Sequence, residues 1–412
     1  MSRSSLFALL LLTTGTWAAE GHSNLPPDEI VARVLRANPG VQAASSQVRA
    51  EEARRQGLEA GQYEWNVKLG GQQRRSNPAT SPEERFNEWN AAIERPLRLP
   101  GKGRQDAALG AAGVALAETG QGDALHEASR NLLKLWFAWL KEGAATAQWG
   151  DQVSLLEKQA QAVKRRQQLG DAAILESIQS EAAVAHAEAQ RTQAQIRRSI
   201  AAEDLRRRFP GLPLVETSPI AEPQPIKGNE AAWLDAILQA SHELGLARGE
   251  SQKAQILAGR ASQELLPDPT VGMLVSRERG GEDHIVGAYV SIPLPGGARR
   301  ALTDASLAQV SSSHFREAAV RQKVEAEAAA LYQSATAAVA TWQAGRNAAE
   351  RLKLAAEMTA RAYQLGEGSL NDLLNSRRLA NEAALNARLL QLDALELAYR
   401  LRLDAHQLWD LD

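Results

Sequence analysis

The chain has 412 residues, a formal net charge of -2 at pH 7 and no cysteine. The missing cysteine excludes disulfides, cysteine metal sites and a lipidated N-terminal cysteine. The balance of acidic and basic residues argues against a nucleic-acid partner, because such a binding surface needs an excess of lysine and arginine.

The first 18 residues have the features of a secretory signal peptide. Arg3 provides a positive start, residues 6–12 are apolar, and Thr16 and Ala18 are small residues in front of the expected cleavage site. A membrane anchor is the alternative, but a spanning helix needs ~20 apolar residues. We therefore expect cleavage after Ala18 and export of the remaining chain.

Four segments, the first starting at Tyr63, alternate between apolar and polar residues, which is typical of β-strands with one apolar face. They predict two hairpins, at about residues 62–98 and 268–294. Each strand has about 10 residues, the length of a tilted strand that crosses a bilayer. Aromatic residues such as Trp89 and Tyr289 lie within the strands or near their ends. A soluble four-stranded sheet would also explain the alternation.

Two long stretches, residues 102–168 and 298–364, contain no proline and are rich in helix-forming residues. Each predicts one continuous helix of about 67 residues and ~100 Å, too long for one globular core. Small and apolar residues then repeat at heptad spacing from Ile178 to Ser199 and from Leu385 to Leu403. We expect these helices to pack along one another, although a soluble helical bundle would show the same periodicity.

The strand-to-helix junctions contain Pro100 and Pro295, which suit an abrupt change of chain direction. The phrase PGKGR at residues 100–104 lacks the spacing of a phosphate-binding loop. Residues 210–228 contain five prolines and predict a linker.

Three sequence landmarks occur twice, in the same order and at nearly the same spacing. IVARVLRANPG (30–40) matches LDAILQASHEL (234–244), IERPLRLPGKGR (93–104) matches AYVSIPLPGGARR (288–300), and QLGDAAILES (168–177) matches QLGEGSLNDLL (364–374). The chain is therefore predicted to be a duplicated repeat, 19–209 and 229–412. Four strands cannot close a barrel, and lipid does not tolerate an open sheet edge. Several chains would pool their strands, with eight strands from two chains or twelve from three.

The landmarks resemble the TolC-type outer-membrane efflux protein family. The residues that carry the resemblance are N-P-G at 38–40, H-E-L at 242–244, the two junction prolines and the turns around Gly170 and Gly366. The resemblance extends over nearly the whole mature chain. The phrase PLRLPGKGR at 96–104 is most similar to the outer-membrane components of heavy-metal efflux systems, of the cobalt–zinc–cadmium and copper–silver type.

The resemblance implies a mainly α-helical homotrimer with a membrane β part. Four strands from each chain would form a twelve-stranded β-barrel in the outer membrane, continued by a long α-helical barrel in the periplasm. The protein would be a passive channel that receives substrate, metal cations by hypothesis, from an inner-membrane efflux pump through a periplasmic adaptor. Alternatives are a channel for organic drugs or for type I protein secretion, and a periplasmic scaffold or adaptor that never enters the membrane.

The resemblance also assigns candidate site residues at the two helix-to-helix turns. Family members dock the adaptor at these turns, here Leu169 with Gly170 and Leu365 with Gly366, which could also be ordinary hairpin turns. Asp372 matches the first acid of the family's pore constriction, Asn375 stands where a second acid is often found, and Glu176 occupies the equivalent place in the first repeat. A carboxylate ring at Asp372 would favour cations, although Asp372 also suits a helix N-terminus after Ser369.

The seven histidines are scattered without an i, i+4 pair, and no catalytic set of serine, histidine and aspartate stands out. We therefore expect no enzymatic activity, no metal site and no cofactor.

Overall fold

The computed structural model describes residues 24–77, 79–80, 82–215 and 219–409. The expected signal peptide, residues 1–18, lies outside the described residues. So do three residues of the proline-rich segment 210–228, whose described part contains neither helix nor strand.

Both halves of the chain follow the same order of two shorter helices, a β-hairpin, a very long helix and a returning helix. The first half contains α1 (Asp28–Arg36), α2 (Pro39–Ala60), β1 (Asn66–Ser76), β2 (Glu84–Pro96), α3 (Lys102–Gln168) and α4 (Ile174–Arg208). The second half contains α5 (Glu230–Ala240), α6 (His242–Gln263), β3 (Thr270–Glu278), β4 (Asp283–Ser291), α7 (Gly297–Gln364) and α8 (Leu370–Asp404).

Two of the repeated landmarks are helix starts. The Asn38 side chain accepts a hydrogen bond from the Gly40 N–H at 2.9 Å, and Pro39 occupies the first turn of α2. The Ser241 hydroxyl accepts one from the Leu244 N–H at 3.2 Å at the start of α6. Each cap satisfies a backbone donor that a helix start leaves without a partner, so these phrases fix where the second helix of each half begins.

The two long helices confirm the prediction from the proline-free stretches. Helix α3 has 67 residues and α7 has 68, so each is ~100 Å long at the rise of an α-helix. Helix α3 packs against α4 and α8, and α8 also packs against α7. The four helices therefore form a row in the order α4, α3, α8, α7.

The largest apolar core lies midway along α3 and involves α1, α4 and α8. Trp136 and Phe137 are completely or almost completely buried there. The Trp136 indole N–H donates to the Asn24 carbonyl at 2.7 Å, so a buried polar atom has a partner. Smaller apolar clusters lie between α5, α7 and α8 and near the far ends of the long helices.

The predicted heptad positions hold for α8 and fail for α4. On α8, Leu392 and Tyr399 are buried as predicted. On α4, Ile178 and Ile196 are instead 57% and 56% exposed, and the buried positions are spaced by seven residues at Ser180, Ala187 and Ala194. These smaller side chains let α4 approach α3 closely, which leaves the isoleucines on the outer face.

The four strands form one antiparallel sheet in the order β1-β2-β3-β4. The central pair, β2 with β3, joins the two halves of the chain, for example through Ile93 opposite Met273. Within the described chain, β1 and β4 each pair on one side only. The predicted start of the first strand at Tyr63 was three residues early, because the Tyr63 hydroxyl donates to Asp268 Oδ2 at 2.9 Å and lies beside the sheet's base.

Candidate functional site: a two-faced sheet and two helical tips

One face of the sheet is apolar and exposed. Val67, Leu69 and Val286 are 66%, 80% and 73% exposed. The register places apolar side chains opposite one another across all four strands. The two central rows are Val67–Ile93–Met273–Ala288 and Leu69–Ala91–Val275–Val286. Such a contiguous apolar surface needs a cover from outside the single chain.

The opposite face of the sheet carries charges that pair across strands. Lys68 Nζ lies 2.7 Å from a Glu94 carboxylate oxygen. Arg74 bridges two strands, with Glu88 at 3.1 Å and Glu278 at 2.7 Å. A sheet with an apolar outer face and a polar inner face is the pattern of a barrel wall between lipid and water.

The first strand-to-helix junction, at Pro100, is fixed by a buried lysine. Lys102 is only 1% exposed, and its ammonium lies 3.0 Å from Asp268 and 3.3 Å from Glu264. Asp268 also accepts a hydrogen bond from the Leu99 N–H at 2.9 Å. Burial alone would raise the pKa of the Asp268 carboxyl, but this hydrogen bond, Lys102 and the Tyr63 hydroxyl lower it. The base of one half is thereby tied to the base of the other.

Further ion pairs extend this network, and sequence analysis missed it. Arg260 Nε lies 2.6 Å from Asp106, and Arg299 Nη1 lies 2.9 Å from Glu264. The second junction, at Pro295, lies in an exposed segment without helix or strand. The sequence feature that could have indicated this network is Lys102 in PGKGR, because a lysine at the first position of a long helix needs acidic partners.

The two helix-to-helix turns, at the far ends of the long helices, have the same backbone geometry. Gly170 and Gly366 have φ values of 81° and 79°, which only glycine adopts at low cost. In each turn the N–H of the residue after the glycine closes the helix, from Asp171 to the Arg166 carbonyl at 2.8 Å and from Glu367 to the Ala362 carbonyl at 2.9 Å. This is a Schellman motif at both helix ends.

Each turn presents an exposed leucine, since Leu169 is 84% and Leu365 is 68% exposed. The first turn continues into a larger apolar surface, because Ile174 and Leu175 are 68% and 62% exposed. We call this group of Leu169, Ile174 and Leu175 the first-tip patch.

The tips are held together by a contact that sequence analysis did not identify. The Tyr363 hydroxyl donates to Glu176 Oε2 at 2.9 Å, and the Arg166 guanidinium lies 5.3 Å from the centre of the tyrosine ring. Burial and the bond to Glu176 raise the pKa of the Tyr363 phenol. Beside them, Leu370 and Leu373 are buried in a small apolar cluster. Glu176 is thus engaged with the other tip.

The other two constriction candidates lie on the exposed start of α8. Ser369 Oγ donates to Asp372 Oδ2 at 2.6 Å and accepts from the Asp372 N–H at 3.1 Å, so Asp372 takes part in the helix cap expected as its alternative role. Asn375 Oδ1 accepts from Arg378 at 3.0 Å.

Three histidines that are distant in sequence meet in space. The rings of His126, His242 and His406 lie 4.9–5.9 Å apart, and His126 Nε2 is 3.3 Å from Asp404. Burial alone would raise the pKa of Asp404, but the His126 bond and the charges of Arg130 and Arg400 lower it to about 2.

Within the described residues, no group of three or more histidine, aspartate or glutamate side chains is placed to hold a metal ion. The described helices also include none with both the length and the apolar composition needed to cross a membrane.

The sequence matches no known protein-family profile and no curated protein. The structure is similar to solved outer-membrane channels. It aligns with the CmeC outer-membrane channel of Campylobacter jejuni at a TM-score of 0.74 and 13% identity, over 93% of this chain and 85% of that one. For the outer-membrane protein VceC of Vibrio cholerae, the TM-score is 0.73 and the identity 16%, over 93% of this chain and 96% of that one. For the open MtrE channel of Neisseria gonorrhoeae, the TM-score is 0.70 and the identity 17%, over 93% of this chain and 90% of that one.

At these identities the likeness shows the fold alone. This chain has the fold of TolC-type outer-membrane channels, and the three proteins named above are outer-membrane channels, not enzymes.

Proposed function

We propose that the protein is a passive outer-membrane channel of a tripartite export system. The observation that carries the proposal is the sheet, whose apolar face is exposed and whose polar face is laced with ion pairs. These two faces suit lipid on one side and water on the other. The helices that continue from the sheet provide a stiff extension of ~100 Å into the periplasm.

The open strands β1 and β4 support a homotrimer. Pairing β1 of one copy with β4 of the next would remove every open edge, which lipid requires. Two copies would give eight strands and an interior filled by side chains, whereas three give twelve strands and room for a pore. In such a trimer the helices would form an α-helical barrel.

The two tips, far from the sheet, are the proposed docking surface for a periplasmic adaptor that links the channel to an inner-membrane efflux pump. The exposed Leu169 and Leu365 beside Gly170 and Gly366 support this role, because exposed apolar groups at a rigid turn favour a protein partner. Threefold symmetry would bring three copies of Asp372 together as a cation-selective constriction.

Heavy-metal cations are the proposed substrate, on the strength of the PLRLPGKGR phrase at 96–104. Organic drugs and secreted proteins remain the alternative cargo for the same channel. Because the duct needs no catalytic group, the energy for transport would come from the inner-membrane pump.

The first experiment is growth of a deletion strain on graded zinc, cobalt, cadmium, copper and silver, beside dyes, detergents and antibiotics. Sensitivity confined to certain metals supports metal efflux, and sensitivity to organic compounds alone would replace the substrate while keeping the channel. Cell fractionation tests the channel itself. Heat-modifiable trimers are expected in the outer membrane, whereas purely soluble periplasmic protein would instead favour a helical scaffold.

A further inference from the structure

A groove between α3, α7 and α8 has no role in the proposed channel function. Its volume is about 540 Å³, within the usual size range of small-molecule sites. It lies ~10–30 Å from the tips, from its residue positions and the helical rise. About half of its lining residues are apolar, and all but Leu155 of these are alanines of α7 and α8.

Arg377 lines this groove and has no counterion among the described residues. Its side chain is half-buried, and burial lowers the pKa of its guanidinium. Among the described residues, its Nη1 atom is buried and has no hydrogen-bond acceptor. The neighbouring Arg378, by contrast, is exposed and pairs with Glu382 at 2.8 Å. Partly buried charges are normally paired, because taking a charge out of water is costly.

A second donor faces the same groove. Asn381 is only 4% exposed. Its Oδ1 accepts from Gln148 Nε2 at 2.9 Å, while its Nδ2 is buried without an acceptor in the described structure. Asn381 follows Arg377 by one helical turn, so the two side chains lie on one face of α8. Both side chains therefore line one groove, and each has one buried nitrogen without an acceptor among the described residues, which is costly.

The other charged residues of the groove do not satisfy these donors. Arg346 and Lys353 add positive charge, and Glu350 and Glu357 are the two lining carboxylates. Glu350 lies 3.9 Å from Arg346. Glu357 is exposed, and within the described residues it makes no ion pair with Arg377. The groove thus combines an excess of donors with an apolar wall.

We propose that this groove binds a small organic anion, a carboxylate with an apolar body. The carboxylate pairs with the half-buried guanidinium of Arg377, beside the Asn381 amide, and the apolar body lies against the alanines of α7 and α8. Such an anion supplies the charge and the acceptors that the groove lacks. The site does not depend on which cargo the channel exports.

The test is calorimetric titration of the purified full chain in detergent with benzoate, and with benzamide as its uncharged isostere. Benzoate is expected to bind, and benzamide at least about tenfold more weakly. Arg377→Gln should reduce benzoate affinity by about tenfold or more, and Arg377→Lys should restore part of it by returning the charge. Arg378→Gln is the matched control, because it removes an adjacent arginine outside the groove.

Three outcomes would overturn the proposal. The first is no benzoate binding by the wild-type protein, and the second is equal affinity for benzoate and benzamide. The third is benzoate binding that Arg377→Gln leaves unchanged. If the wild-type protein binds no benzoate and Arg377→Gln weakens its oligomer, the missing counterion is a carboxylate of a second copy.

Discussion

The two helical tips share one backbone and differ in where their side chains lie. Both turn through a glycine with φ near 80° and close with the same hydrogen bond. Four residues after each glycine, Ile174 of the first tip is 68% exposed, whereas Leu370 of the second is 3% exposed. The two tips therefore share the geometry of the turn, while their apolar surfaces differ.

The difference separates two roles that one turn can serve. The second tip packs inward, with Leu370 and Leu373 against Val163 and Tyr363. The first tip keeps its apolar residues in solvent as the first-tip patch. A contiguous apolar patch at the end of a stiff helix pair favours contact with another protein, so we expect the proposed adaptor to contact the first tip more extensively.

Truncating the two matched residues should give the largest contrast. Leu370→Ala is expected to lower the free energy of unfolding by about 2–4 kcal/mol, because it leaves a cavity in a buried cluster. Ile174→Ala should change it by no more than about 0.5 kcal/mol. Denaturant unfolding followed by circular dichroism measures both. Equal effects would show that the tips are buried alike in the assembled protein.

Cross-linking to the adaptor sharpens the same comparison in the opposite direction. Ile174→Ala should weaken cross-linking while leaving oligomers intact. Wild-type levels of cross-linking in this variant would argue against a docking role for the first-tip patch.

The glycines should show that the backbone, unlike the side chains, is equivalent in the two tips. Gly170→Ala and Gly366→Ala are each expected to cost about 1–2 kcal/mol, the penalty for a left-handed residue with a Cβ. The added Cβ meets no atom within 4 Å at either position, so crowding does not contribute. Gly57→Ala, inside α2 and equally uncrowded, is the control and should stabilise by about 0.5–1 kcal/mol. Unequal costs at the two tips would contradict the equivalence.

The features predicted from the sequence are those that neighbouring residues determine. Proline-free stretches gave the extents of α3 and α7 within one residue, because helix formation and termination are local. Strict alternation placed the two hairpins, since a period of two assigns each side chain to a face. The glycine turns followed from the left-handed conformation that ends a helix.

The features that were missed depend on residues far apart in the chain. Tyr363 and Glu176 are 187 positions apart, and nothing near either residue distinguishes it from an ordinary surface side chain. In the sequence, Lys102 lies in a PGKGR phrase that lacks the spacing of a phosphate-binding loop. Its role is visible only in the structure, where it pairs with Asp268 and Glu264. The predicted heptad positions of α4 were wrong because small residues lie on more than one face of this helix. Which of these faces is buried depends on where α3 packs.

The hydrogen bond between the two tips can be removed by deleting one atom, the hydroxyl oxygen of Tyr363. Tyr363→Phe removes the hydrogen bond to Glu176 and is expected to cost about 1 kcal/mol. Because the pKa of Tyr363 is raised in the folded protein, this contribution is fully present below the unfolded pKa of about 10. It is lost as pH rises through the folded value. Unfolding of wild-type and variant protein should therefore differ at neutral pH and converge in strong alkali. A difference that persists there would assign the effect to packing.

Asp372 offers the smallest effect on stability and a separate effect on ions. Asp372→Asn is expected to cost only a few tenths of a kcal/mol, because Ser369 still caps the backbone N–H. In a planar bilayer, however, the change would remove all three carboxylates of the proposed trimer's constriction and should reduce cation selectivity. Glu176→Gln is the matched change at the equivalent position of the first tip, where the carboxylate is held by Tyr363. It should therefore loosen the link between the tips more than it alters selectivity. If both variants lower selectivity equally, Glu176 faces the pore as well, and the two tips differ less in function than in packing.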